Sequence, residues 1–189
     1  MKPRTISITT TSHARLRNRS GHPIPRRDRE IDRPRERIRP GNRVLLVDDD
    51  PTVRDSLKDV LEAEGYQIIP AEDGQQALDL ANKSPVDLVL LDLNMPVKNG
   101  WDTFEQFTRE HPFIPVVIVT ARSNQLFTAL GAGAGALLEK PMDIRTLLRT
   151  IAKLLAETAD QRLARLAGKQ TTFHYQPAIG VHPESQKNF

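Results

Sequence analysis

Five polar residues follow short apolar runs in this sequence, and their side chains could together bind a cation and a phosphoryl group. They are Asp48, Asp49, Asp92, Thr120 and Lys140. Three carboxylates in one cleft repel each other, and a hard divalent cation such as Mg²⁺, which takes oxygen ligands beside phosphates, is the usual remedy. A carboxylate beside Mg²⁺ can attack phosphorus and form an aspartyl phosphate, while an ammonium and a hydroxyl neutralise the phosphoryl oxygens. The set is therefore suited to phosphoryl transfer onto an aspartate.

The apolar runs before these residues predict buried strands. Residues 44–47, 86–92, 114–120 and 134–141 contain continuous runs of the kind found in parallel sheets, and 66–70 forms a further short strand. The carboxyl ends of parallel strands meet at one edge of a sheet, and sites form there at the topological switch point. The sequence therefore predicts that the polar residues converge at that edge.

Helical patterns with start and stop signals separate the strands. Asp50 followed by Pro51 is typical of an N-cap with a first-turn proline, Ser123 is predicted to cap the fourth helix, and Asp143 opens the fifth. Five strands that alternate with five helices predict an α/β fold with a doubly wound parallel sheet.

The charge distribution divides the chain into unlike parts. Residues 1–43 carry 13 basic and 4 acidic side chains, a net of +9, whereas residues 44–189 carry 14 basic and 20 acidic ones, a net of −6. We predict a disordered Arg-rich arm over 1–43, because it has almost no large apolar residues to bury. The folded domain is predicted over 44–157, an extension of the last helix over 158–168, and an irregular tail over 169–189.

Composition also excludes several classes of site. The chain has no cysteine, which excludes disulfides, thiolate catalysis and Cys-ligated metal centres. No run approaches 18 apolar residues, so no membrane span is predicted, and the N-terminus lacks the apolar core of a secretory signal. A cytoplasmic location is the resulting expectation.

The stretch 44–157 resembles the receiver (CheY-like) domain of bacterial two-component response regulators, in its stand-alone form. The segments that carry the resemblance are VLLVDDDP, LVLLDLNMPVKNG, PVVIVTA and GAGALLEKP. The resemblance implies a flavodoxin-like five-stranded sheet in the order 2-1-3-4-5 with five helices. It also implies a phosphoacceptor protein rather than an enzyme, one that catalyses only its own phosphorylation and dephosphorylation.

The resemblance assigns the metal and phosphoryl roles to particular residues. Asp92 is the expected phosphoacceptor, with a sensor histidine kinase or a histidine phosphotransfer protein as donor. Asp48, Asp49 and Asp92 are the expected Mg²⁺ ligands, together with the backbone carbonyl of Asn94. The output is expected through an unidentified downstream protein that binds a switched surface.

The remaining residues of the pattern support that site. Thr120 and Lys140 are expected to stabilise the phosphoryl group, and Ala121 leaves room for it. Gly100 and Pro141 are expected to be structural at the site, the latter after a cis peptide bond.

The family's switch couples Thr120 to an aromatic residue three positions before the lysine. That position is Leu137 here, a departure from the usual Tyr or Phe. We predict that phosphorylation is kept and that the conformational response is altered.

Two alternatives have different chemistry. Residues 48–52 also read as D-x-D-x-T, the nucleophile motif of haloacid-dehalogenase-like phosphatases, with Asp48 as nucleophile. That interpretation lacks an acidic pair on a strand after Lys140 and leaves Asp92 unexplained. The second alternative is a receiver that contacts DNA, and contact with nucleic acid is expected only through residues 1–43.

Overall fold

The computed structural model describes residues 41–95, 100–169 and 173–180. The chain divides into two units, Met1–Arg35 and Glu36–Phe189, and all the described residues belong to the second. The predicted disordered arm therefore lies outside the described residues, except for its last three positions. Of these, Arg43 is the first residue of the first strand rather than part of an arm. The end of the predicted tail, 181–189, also lies outside them.

Six strands form one parallel sheet in the order β2-β1-β3-β4-β5-β6. The strands are β1 (Arg43–Val47), β2 (Gln67–Ala71), β3 (Leu88–Leu91), β4 (Val116–Thr120), β5 (Ala136–Glu139) and β6 (His174–Gln176). The first five confirm the predicted 2-1-3-4-5 order. The strands β3, β4 and β5 are buried along their whole length, as continuous apolar runs predict for a sheet covered on both faces.

Six helices accompany the sheet in the described part of the chain. They are α1 (Pro51–Ala63), α2 (Gly74–Lys83), α3 (Gly100–Glu110), α4 (Leu126–Gly131), α5 (Ile144–Leu155) and α6 (Ala159–Leu166). The helices α1 and α5 pack on one face of the sheet and α2, α3 and α4 on the other, because alternate strand residues enter two separate cores. Within the described residues, no helix is long and apolar enough to cross a membrane.

Two predicted helix starts are confirmed by their caps. The Asp50 side chain accepts hydrogen bonds from the backbone N–H groups of Thr52 and Val53, and Asp143 accepts one from Thr146. The prediction for α4 was wrong in detail, because this helix begins at Leu126, after Gln125, which makes no side-chain capping bond.

The predicted extension of the last helix over 158–168 is a separate helix. The helix α5 ends at Leu155, and α6 begins at Ala159 with its own N-cap, Thr158. Thr158 and Gln161 form a capping box, in which each side chain accepts from the other residue's backbone N–H. The apolar spacing continues across the break, so periodicity alone could not reveal it.

The helix α6 is fastened to the domain by a buried arginine. Arg165 is 4% exposed, and its guanidinium donates to the Gly133 carbonyl at 2.8 Å and to Glu157 Oε2 at 2.6 Å. The chain beyond α5 thus packs against the loop between α4 and β5.

The predicted irregular tail contains the sixth strand. Ala136, Leu137 and Leu138 of β5 pair with residues 174–176 of β6. Three residues are too few to show an alternating pattern, and the pairing is provided by the edge of β5 rather than by the sequence of the tail.

Candidate functional site

The ends of β1, β3 and β5 bring an acidic pair and a lysine together. Asp48 follows β1, Asp92 follows β3 and Lys140 follows β5. The backbone N–H of Asp92 donates to the carbonyl of Val47 at 2.9 Å, so the two aspartates are held at neighbouring strand ends. The parallel sheet thus produces the predicted convergence of residues that are far apart in sequence.

The lysine bridges the two buried carboxylates. Lys140 Nζ lies 2.6 Å from Asp48 Oδ2 and 2.8 Å from Asp92 Oδ2, and these aspartates are only 3% and 5% exposed. Burial alone would lower the pKa of Lys140, but its hydrogen bonds and charge attraction to the two aspartates outweigh that effect and raise the pKa. The ammonium is therefore charged at neutral pH.

A third carboxylate completes an oxygen-rich cluster that is open on one side. Asp48, Asp49 and Asp92 each offer an oxygen, and these oxygens lie within 4.8 Å of one another. Asp49 is exposed, whereas the other two are buried. With Lys140 as the bridging cation, the cluster keeps an excess of two negative charges. A hard divalent cation that retains several waters fits this donor set and its open side.

Backbone groups fix the second oxygen of each buried carboxylate. Asp92 Oδ1 accepts the N–H of Asn94 at 2.8 Å, and Asp48 Oδ1 accepts the N–H of Asp50 at 3.0 Å. Sequence reasoning missed Arg54, whose Nη1 donates to the carbonyl of Asp48 at 2.6 Å. A signal was available in the sequence, because Arg54 lies on the first turn of the predicted helix that directly follows the first strand and Asp48.

Thr120 lies at the carboxyl end of β4, between β3 and β5, and is fully buried. Its hydroxyl accepts the N–H of Arg122 at 3.1 Å, and its carbonyl accepts the N–H of Lys140 at 2.8 Å. Ala121, next in sequence, is exposed. The structure thus ties the predicted threonine to the predicted lysine through the backbone.

Gly100 allows the chain to pass close to the backbone of Asp92 and Leu93. A Cβ on Gly100 would fall on Leu93 Cα and lie 2.8 Å from the carbonyl oxygen of Asp92. The predicted cis peptide bond between Lys140 and Pro141 is present. Gly100 and Pro141 therefore occupy structural positions at the site.

Gly100→Ala is expected to lower the free energy of unfolding by about 2 kcal/mol, because the new methyl group must displace backbone atoms. Urea denaturation measures this change. Gly131→Ala is the control, since a Cβ there meets no atom within 4 Å, and its stability should match or slightly exceed that of the parent. Equal stability of Gly100→Ala and the parent would contradict the close packing described.

Residues 44–152 match the family described as "Response regulator receiver domain". The chain belongs to the response regulator receiver family. Transcriptional regulatory protein CpxR of Escherichia coli is 46% identical over 116 residues, which are 60% of this chain and 49% of CpxR. Protein PilH of Pseudomonas aeruginosa is 41% identical over 118 residues, 60% of this chain and 98% of PilH. The chain thus spans about half the length of CpxR and nearly all of PilH.

Solved receiver structures share the fold. Response regulator protein TrrA of Thermotoga maritima, in complex with Mg²⁺-BeF, has 31% sequence identity and a TM-score of 0.57. The similarity covers 60% of this chain and 98% of TrrA. This chain shares that fold, and its strand β6 lies outside residues 44–152, which match the family.

Membership of the receiver family does not favour the phosphatase alternative. The position of Asp50 is a further observation on that alternative. Its carboxylate caps α1, and hydrogen bonding from the backbone N–H of Thr52 lowers the pKa of Asp50. The second aspartate of the D-x-D-x-T pattern is therefore engaged with a helix end. The DNA alternative depends on residues 1–43, of which 1–40 lie outside the described residues.

Leu137 is completely buried in the core on the α2, α3 and α4 face of this receiver. Its partner in register on β6 is Tyr175. Sequence reasoning identified the missing aromatic at Leu137 but not the aromatic residue placed beside it. No local signal marked Tyr175, because the register of β6 is a tertiary feature.

Proposed function

We propose that this receiver accepts a phosphoryl group on Asp92 in a Mg²⁺-dependent reaction. The observation that carries the proposal is the buried Asp92 carboxylate, which lies 2.8 Å from Lys140 Nζ within an acidic cluster at the strand ends. Such a carboxylate has both an oxygen nucleophile and a neighbouring cation for the incoming charge. The Mg²⁺-BeF complex of TrrA supports the proposal by similarity.

The transfer replaces one bond to phosphorus with another. A carboxylate oxygen of Asp92 attacks the phosphorus of a phosphohistidine, the P–N bond breaks, and the imidazole leaves with the electron pair. The product is an acyl phosphate on Asp92 and a free histidine on the donor. In this proposal the Lys140 ammonium and the Thr120 hydroxyl stabilise charge on the transferred oxygens.

The carboxylates of Asp48, Asp49 and Asp92 are the proposed Mg²⁺ ligands, with the backbone carbonyl of Asn94. The ion supplies positive charge for the phosphoryl oxygens when it is bound. Asp48 and Asp92 are oriented for this role by the backbone N–H groups of Asp50 and Asn94. The chain's own contribution is therefore to hold the oxygens in place.

The role that follows is signalling rather than turnover of a substrate. Residues 44–157 are the proposed receiver unit, a sensor histidine kinase or histidine phosphotransfer protein is the proposed donor, and a cytoplasmic protein target is the proposed recipient of the signal. The receiver catalyses only its own phosphorylation and dephosphorylation. Phosphorylation adds charge and acceptor oxygens that bias a two-state surface.

Acetyl phosphate tests this function without the cognate kinase. Incubation with acetyl phosphate and Mg²⁺ is expected to add the mass of one phosphoryl group to the intact protein, and excess EDTA is expected to prevent the addition. Intact-protein mass spectrometry follows both reactions. Equal labelling with and without EDTA would contradict the metal dependence, and no labelling in either would contradict phosphoacceptance.

A further inference from the structure

The C-terminal segment, residues 173–180, lies along the β5 edge of the sheet. Its strand β6 pairs with β5 in parallel, with Tyr175 beside Leu137 and Gln176 beside Leu138. Phe173, directly before the strand, packs against the core on the α2, α3 and α4 face. The segment thus occupies an edge that would otherwise offer free backbone groups to another strand.

The segment forms hydrogen bonds with Glu139 and Pro141, the two chain neighbours of Lys140. Glu139, which is 8% exposed, accepts a hydrogen bond from Tyr175 Oη at 3.2 Å and one from the Ala178 N–H at 3.3 Å. On the other side of the lysine, the Ile179 N–H donates to the carbonyl of Pro141 at 2.9 Å. The two anchors therefore flank Lys140 in the chain.

The same short stretch of β5 is tied to the acidic cluster. Glu139 is the register partner of Thr120, and the Lys140 N–H donates to the Thr120 carbonyl at 2.8 Å. The Lys140 side chain in turn contacts Asp48 and Asp92. The Lys140 and Thr120 backbones therefore provide a direct connection from the acidic cluster to the anchors of the C-terminal segment.

The segment is attached to β5 by few buried contacts, so we expect it to detach locally at low cost. The strand β6 has three residues, and Tyr175 and Ile179 are 38% and 55% exposed. Segments with few buried apolar contacts and exposed hydrogen bonds open locally at low cost. By contrast, Glu139, the anchor that lies in β5, belongs to a fully buried strand.

We propose that the C-terminal segment is a regulatory strand whose docking on β5 is coupled to phosphorylation of Asp92; this inference rests on the proposed function. The docked segment is complementary to the unmodified site, in which Lys140 bridges Asp48 and Asp92. A phosphoryl group on Asp92 redirects Lys140 and Thr120 towards its oxygens, which displaces the anchors and favours release. A segment that binds one of two states better must shift their equilibrium.

Coupling of this kind is reciprocal, so the segment also acts on the site. If phosphorylation weakens docking, docking must oppose phosphorylation by the same factor. Loosening the segment without touching the acidic cluster is therefore expected to favour the phosphorylated state. This consequence separates a regulatory strand from one that only adds stability.

Hydrogen exchange of the full-length chain measures the docking directly. Beryllofluoride with Mg²⁺ serves as the phosphoryl mimic, and fluorine NMR reports whether it is bound. We expect amides of residues 173–180, including Ala178 and Ile179, to exchange several-fold faster with the mimic bound, while amides in β1 and β3 stay unchanged or slow down.

Tyr175→Phe tests the reverse direction with a minimal change. The substitution removes the hydroxyl that donates to Glu139, and the loss of one such bond is expected to increase opening of the segment about fivefold. Because opening of the segment favours the state that binds the mimic, the affinity for beryllofluoride should rise, by at most about fivefold. Tyr66→Phe is the matched control, because the buried Tyr66 hydroxyl has no hydrogen-bond partner and lies outside this segment; its affinity should stay unchanged.

The outcomes separate this inference from the function on which it rests. Bound beryllofluoride with unchanged or slower exchange in residues 173–180 would overturn the coupling and leave phosphoacceptance intact. Faster exchange in Tyr175→Phe with unchanged affinity for the mimic would also overturn it. Absence of any beryllofluoride binding would contradict the proposed function and this inference together.

Discussion

Replacing Asp92 with asparagine is expected to abolish phosphoryl labelling by acetyl phosphate. The amide keeps the shape of the side chain and can still accept the N–H of Asn94, which donates to the carboxylate at 2.8 Å. It lacks the negative charge and nucleophilicity needed to attack phosphorus. The fold should therefore persist while labelling is lost, and intact-protein mass spectrometry with circular dichroism measures both.

Two further variants give this experiment its controls. Asp102→Asn changes an exposed aspartate on α3 and should be labelled like the parent. Asp48→Asn distinguishes the receiver from the phosphatase alternative. If Asp48 carried the covalent group, as in the phosphatase alternative, labelling would be lost in Asp48→Asn and kept in Asp92→Asn. Labelling that persists in Asp92→Asn and vanishes in Asp48→Asn would contradict the account.

Lys140→Met is expected to change both stability and phosphorylation. The substitution leaves Asp48 and Asp92, which are 3% and 5% exposed, without their shared cation. Removing one partner of a buried ion pair costs about 3–5 kcal/mol, and because the lysine side chain is 20% exposed we expect a loss of about 3 kcal/mol. Urea denaturation in EDTA measures it.

Mg²⁺ should restore much of that loss, because a divalent cation among the same carboxylates takes over the neutralisation. Labelling by acetyl phosphate should nevertheless fall about 100-fold, since the transferred oxygens lose a preorganised positive partner. Lys153→Met, at an exposed position on α5, is the control and should change neither property appreciably. Unchanged stability of Lys140→Met in EDTA would contradict the electrostatic description of the cluster.

The site was predictable because its residues are marked by local signals. Continuous apolar runs end at Asp48, Asp92 and Thr120, and another ends two residues before Lys140. Parallel sheets bring such strand ends together at one edge. The helix starts at Asp50 and Asp143 could also be predicted from the sequence, because capping depends on a few neighbouring residues. Local chemistry and simple topology therefore sufficed for the first five strands and the acidic cluster.

Most of the parts that sequence reasoning missed depend on contacts between residues that are far apart in the sequence. Tyr175 acquires its position from pairing with β5, and Arg165 from the Gly133 carbonyl and Glu157. The break between α5 and α6 arises from the capping box at Thr158, which competes with an uninterrupted apolar spacing. Tyr175 and Arg165 carry no local signal, whereas the Thr158-x-x-Gln161 spacing of the capping box was a local signal that sequence reasoning missed.

The most direct test of the central claim is to locate the phosphoryl group. Borohydride reduces an acyl phosphate on aspartate to homoserine, which marks the modified residue in peptide mass spectra. After treatment with acetyl phosphate and Mg²⁺, we expect homoserine at position 92 and unmodified aspartate at positions 48 and 49. Homoserine at position 48, or its absence from all three positions in a labelled protein, would contradict the assignment of Asp92 as the phosphoacceptor.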